Sequence, residues 1–163
     1  MLYSDVEDLS PEMNSKSGGK QLLIHGLALI LVGLVFGFVV PQTPYPRLAL
    51  GAHVQFETNG MLFVLIGLLM LTWLNSVGRW TLLVTVISAW ATWFMALSET
   101  ANAWWGTNQM LPIAALQAGA TGGAPWQEIV VKLCHIPAAL GLILSVSLLL
   151  AGVLKRPVSA DEK

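Results

Sequence analysis

The residues best suited to chemistry stand together in Leu50-Gly51-Ala52-His53-Val54-Gln55-Phe56-Glu57-Thr58-Asn59-Gly60, which holds a histidine, a carboxylate, two amides and a threonine. His53 and Glu57 are four residues apart and Gly60 continues their stripe, so on a helix the three share a face. Gln55 and Asn59 form a second stripe by the same spacing. His53 and Asn59 fall about 120° apart around the axis, which suits a helix at a subunit boundary. A neutral imidazole is the commonest metal ligand, and a histidine facing an apolar cleft beside a small residue is a frequent way to hold a haem iron. An interhelical hydrogen bond is the competing role for His53.

The surroundings of this stretch are a membrane protein's. Of 163 residues, 55% are hydrophobic and 10% charged, and the apolar runs are too long for a soluble core of this size. A net charge of -1 with no Lys/Arg block gives no footing for nucleic acid or a strongly anionic surface. Cys134 is the single cysteine, which excludes an intrachain disulfide and a paired-thiol zinc site. The acidic N-terminus, Met1-Leu2-Tyr3-Ser4-Asp5-Val6-Glu7-Asp8, is unlike a secretory signal, and the first apolar run reads as retained.

The pattern predicts an all-α bundle of four transmembrane helices at about 22–40, 48–74, 81–103 and 127–154. They make one domain over 21–156, between a disordered polar tail at 1–20 and a second polar tail at 157–163. Pro41, Pro44 and Pro46 stop the first helix. In the second, the purely apolar part 61–74 rises only about 21 Å against roughly 30 Å of hydrocarbon. The polar segment from His53 to Asn59 must therefore lie within the membrane, where it has to face protein, cofactor or a water-filled cavity. Small residues Ser88, Ala89, Ala91 and Ala96 in the third helix permit close packing, and the long connection 106–126 has the length of a lid.

Lys16, Lys20, Arg79, Lys155, Arg156 and Lys163 fall on one side, against Arg47 and Lys132 on the other. The positive-inside rule then makes both termini cytoplasmic, in a bacterial inner membrane. It also gathers the polar starts of the second and fourth helices and the polar end of the third at the opposite face. Glu57 and Glu99 become a candidate acid/base pair if the second and third helices are neighbours. Glu99 and Glu128 otherwise read as interfacial groups, Glu128 with Lys132 as a surface ion pair, and His25 and His135 as histidines satisfied near helix ends. Most tryptophans mark an interfacial belt, while Trp90 and Trp93 fall mid-span. No phosphate loop, nucleophile elbow, HExxH or paired CxxC occurs.

At Leu50-Gly51-Ala52-His53 with Asn59-Gly60, and at residues 106–112 leading to Trp126-Gln127-Glu128, the chain resembles the hydroxylaminobenzene mutases, small four-helix membrane enzymes. The Ala-His, Asn-Gly pattern is also similar to the membrane styrene oxide isomerases, and His25-Gly26 fits both. The resemblance spans about 20–156. It implies an isomerase that turns hydroxylaminobenzene, a small aromatic hydroxylamine, into 2-aminophenol. The epoxide isomerases are homotrimers with haem b between subunits. Carried over, their iron-binding histidine falls on His53, with Gly60 beside the cofactor, and their pocket asparagine on Asn59. Glu57 or Glu99 would then move protons. The catalytic tyrosine of the epoxide isomerases lies in the third helix, where this chain has none, which argues against epoxide isomerisation. An electron-transfer cytochrome using His53 with His25 or His135 is a second class, and a non-enzymatic membrane subunit a third.

Overall fold

The computed structural model describes residues 11–74 and 77–155. The expectations that fall on 1–10, on the Asn75-Ser76 connection and on the C-terminal tail lie outside those residues. Helix α1 is Pro11–Gly37. A 3-10 turn at Val40–Gln42 leads to α2, Pro46–Thr72, and then come α3, Arg79–Trp105, α4, Pro112–Ala118, and α5, Pro125–Leu154. Four of the five are long and apolar enough to cross a bilayer, and among the described residues there is no strand. The boundaries follow local chemistry. Pro46, Pro112 and Pro125 each sit in a first turn, where the missing N–H costs nothing. Gly106, at φ 63°, ends α3 in the left-handed conformation that a side chain would strain.

Two features depart from expectation. Residues 11–20 are helical rather than part of a tail, and Ser15, Gly18 and Gly19 among them are used in packing. The Ser15 hydroxyl, buried, donates to the Leu74 carbonyl at 2.9 Å, and a Cβ on Gly18 would run into the Leu82 side chain. The long connection is not bare loop, because it carries α4. That helix is tied to the start of α2 by Arg47, whose Nε donates to Gln117 Oε1 at 2.8 Å. Ile113 and Leu116 are 73% and 80% exposed on it, suiting a short helix lying in the lipid interface.

The bundle is built on an antiparallel α1/α2 seam with a glycine every seven residues. A Cβ on Gly19 would meet the Gly67 carbonyl at 3.1 Å, and one on Gly67 the Gly19 carbonyl at 2.8 Å. Gly26 and Gly60 repeat the reciprocal approach at 2.6 and 2.8 Å. Only glycine permits backbones this close, and in lipid such contact is what holds helices together. The next step of seven brings Gly33 opposite His53, so the histidine occupies the third register of a glycine seam. On the other side α5 packs against α3, where the Ser145 hydroxyl donates to Ser88 Oγ at 3.0 Å and Gly141 makes room for Ser88.

Candidate functional site

His53 is held by the seam. Its Nδ1 lies 2.8 Å from the Gly33 carbonyl. Only a protonated Nδ1 can bond to a carbonyl, so the neutral ring keeps its lone pair on Nε2. Gly37 leaves the space beside the ring, since a Cβ there would sit 3.1 Å from Cε1. The Glu57 carboxylate oxygen Oε1 is 3.6 Å from Nε2, with the two side chains 22% and 30% exposed. His53 and Glu57 thus form one unit on the outer side of the α1/α2 seam. Gly60 belongs to the seam itself: a Cβ would lie 2.6 Å from Ile30, so its place is helix packing against α1.

The opposite side of α2 carries a different set. Gly51 faces Glu99 of α3, with Oε1 3.1 Å from where a Cβ would be. Gln55 and Asn59 follow Gly51 at steps of four, and Gln55 Oε1 and Asn59 Nδ2 are buried without a hydrogen-bond partner. The third helix does neighbour the second, yet Glu57 and Glu99 do not meet, because they lie on opposite sides of the α2 axis.

Glu99 instead reaches α5. Its Oε2 lies 3.8 Å from His135 Nε2, with both side chains almost fully buried. Neither atom has a hydrogen-bond partner. His135 Nδ1 is committed to the Val131 carbonyl at 2.8 Å. One turn on from Glu99, Asn102 accepts the Thr107 N–H on Oδ1 at 2.7 Å, leaving Asn102 Nδ2 and Thr107 Oγ1 buried and unpartnered.

Glu128 closes this end. It is buried rather than interfacial and accepts the backbone N–H of Asn108 at 2.9 Å, Gly123 at 3.1 Å and Gln109 at 3.1 Å. One carboxylate therefore pins both ends of the connection carrying α4. Lys132 bonds to Gln109 Oε1 rather than serving mainly as the partner of Glu128. Sequence spacing suggested the i,i+4 pair and missed the clamp, since its three donors are backbone groups with no side-chain signal.

His25 is buried mid-helix, where its Nδ1 accepts from Trp93 Nε1 at 3.0 Å and Trp90 meets its ring edge-on at 4.8 Å. The early start of α1 moves His25 away from a helix end, so indole replaces the water or carbonyl anticipated there. An open groove of about 400 Å³ is lined by Arg47, Met110, Leu111, Pro112, Ile113 and Ala114. It offers one cation and no acid or imidazole, so the reactive groups are those of the two buried sets.

Among the described residues no three His, Cys, Asp or Glu side chains gather as a metal site. A haem brings four nitrogens of its own and asks the protein for a single imidazole whose other nitrogen is hydrogen-bonded. His53 meets that requirement, and its half-buried ring beside Gly37 fits a group bound on the outer side of the seam.

A family profile described as styrene oxide isomerase matches residues 19–154. Two proteins of Ectopseudomonas oleovorans are similar over most of their length. Hydroxylaminobenzene mutase HabB is 31% identical over 140 residues, 85% of this chain and 82% of the relative. Hydroxylaminobenzene mutase HabA is 31% identical over 134 residues, 82% of this chain and 97% of the relative. No solved structure matches.

Proposed function

The chain belongs to the styrene oxide isomerase family, and from that premise we propose that it converts hydroxylaminobenzene to 2-aminophenol by moving the hydroxyl from nitrogen to the ortho ring carbon. A membrane isomerase is what the family and the four apolar helices establish; the reaction is the proposed part, and the likeness to two mutases supports it. One observation carries the chemistry: His53 commits Nδ1–H to Gly33 and leaves Nε2 bare, with the Glu57 carboxylate beside it.

In this reading the Nε2 of His53 would hold haem b, a group that would supply Lewis acidity toward the hydroxylamine oxygen. Asn59, whose Nδ2 lacks a partner, orients the substrate by its amide. Glu57 or Glu99 holds and moves the proton that the rearrangement releases. The cofactor would then be shared between copies, so that His53 of one copy and the Asn59 face of the next would serve the same substrate, as the homotrimer of the resembled isomerases implies. The Lys/Arg distribution favours an inner membrane with cytoplasmic termini. The family description favours epoxide isomerisation as a second reading, against which α3 offers no tyrosine.

The test is His53→Ala. Turnover of hydroxylaminobenzene is lost, together with any Soret band at one haem per chain, while the protein stays in the membrane fraction. Full activity in that variant overturns the assignment.

A further inference from the structure

Four buried polar atoms without partners lie at one joint of the bundle: Glu99 Oε2, His135 Nε2, Asn102 Nδ2 and Thr107 Oγ1. Buried away from water, such groups are costly unless something satisfies them. For the first two the remedy is local. His135 has spent Nδ1 on the Val131 carbonyl, so a neutral ring offers a lone pair at Nε2, 3.8 Å from the carboxyl oxygen. A single proton between Oε2 and Nε2, with a small closing movement, satisfies both. The only other cation nearby on α5, Lys132, bonds to Gln109.

We propose that Glu99 is the proton carrier of the rearrangement and that His135 is its positioning partner. Asn102 and Thr107 complete the closed polar site. The inference rests on an aromatic hydroxylamine being the substrate. When oxygen leaves nitrogen and bonds to the ortho carbon, the product of that step is an imine whose ortho carbon still carries hydrogen. The C–H bond then breaks, its electron pair restores the aromatic ring, and the imine nitrogen gains a proton. One proton is taken from carbon and one given to nitrogen, with no oxidant or reductant consumed. A carboxyl and an imidazole sharing one proton can give it to nitrogen and be recharged from carbon, returning to their starting state.

The placement is suitable. Glu99 faces Gly51, at the head of the face on which Gln55 and Asn59 follow at rises of about 6 and 12 Å. The unpartnered amides of that face are therefore available to the substrate's polar head. Glu57 stands across α2 beside His53, so the two carboxyls are not interchangeable.

Two measurements on the full chain in lipid test the proposal. Infrared spectra in H2O and D2O read the C=O stretch of a protonated carboxyl. The band is present in the wild type, lost in Glu99→Gln and shifted in His135→Phe. Turnover of ortho-deuterated hydroxylaminobenzene reads the proton step. His135→Phe lowers kcat about 100-fold and raises the isotope effect above that of the wild type, and Glu99→Asp retains more activity than Glu99→Gln. A lowered kcat with an unchanged isotope effect makes His135 merely structural and overturns the proposal. So does a carboxyl band indifferent to His135→Phe. If His135→Phe does not fold, the isosteric Glu99→Gln decides by the same isotope effect. A haem-loaded wild type that leaves hydroxylaminobenzene unchanged overturns the function and the proton's part in it together. An active wild type lacking the band overturns the pair alone.

Discussion

Removing the Glu128 carboxylate should release the connection that covers the α3/α5 joint. Its Oε1 accepts from Asn108 and Gly123 and its Oε2 from Gln109, so Glu128→Ala strands three backbone donors. A hydrogen bond to a charged group contributes about 1.5–3 kcal/mol. Three of them sum to between about 4.5 and 9 kcal/mol, but the connection can open to water at the membrane surface and recover most of that. A net loss of about 3 kcal/mol is the reasonable expectation, and at 1.4 kcal/mol per factor of ten this is roughly a hundredfold. Hydrogen exchange of the three amides reads it directly. In Glu128→Ala all three exchange about a hundredfold faster. In Glu128→Gln the remaining oxygen does best facing Asn108 and Gly123, while the amide nitrogen confronts the Gln109 N–H. Exchange at Gln109 then rises alone. Unchanged exchange in Glu128→Ala, or uniform loss in Glu128→Gln, would refute the clamp.

Two further outcomes follow from the packing. Gly60→Ala places a methyl 2.6 Å from Ile30 and 2.8 Å from the Gly26 carbonyl, which costs about 1–3 kcal/mol by overpacking; a detergent-unfolding midpoint equal to that of the wild type would contradict the seam. Trp93→Phe removes the donor to His25 Nδ1 while keeping an aromatic ring, at a cost of about 1 kcal/mol. The nitrogen-15 shift of His25 Nδ1 should move toward that of a free acceptor, and an unmoved shift would count against the bond.

The four spans were legible because hydrocarbon thickness sets helix length, and Pro41, Pro46 and Pro125 mark turns that no apolar count could hide. That the polar ends of α2, α3 and α5 share one face followed from helix order, and the meeting of Glu99 with His135 is its consequence. Other features were not legible. Ser15, Gly18 and Gly19 have a tail's composition, and only the neighbours Leu74, Leu82 and Gly67 give them a packing role. The seven-residue glycine period was present in the sequence but masked by the four-residue polar stripes overlying it. The Glu128 clamp left no trace, because its partners are peptide groups.

These two periods explain why α2 keeps two chemical faces apart. Seven residues turn a helix through about 700°, only some 20° short of two full turns, so Gly67, Gly60 and His53 stay under α1 along the whole seam. Gly51, Gln55 and Asn59 centre roughly opposite, toward α3. A backbone contact at every seventh position fixes the rotation of α2 about its axis, and with it the direction of every polar group on the helix. Slipping the seam by one residue would turn His53 by about 100° away from Gly33 and carry Gly51 away from Glu99. The glycines packed between α1 and α2 therefore set the register in which His53 keeps its free nitrogen on one side and Glu99 meets its partners on the other.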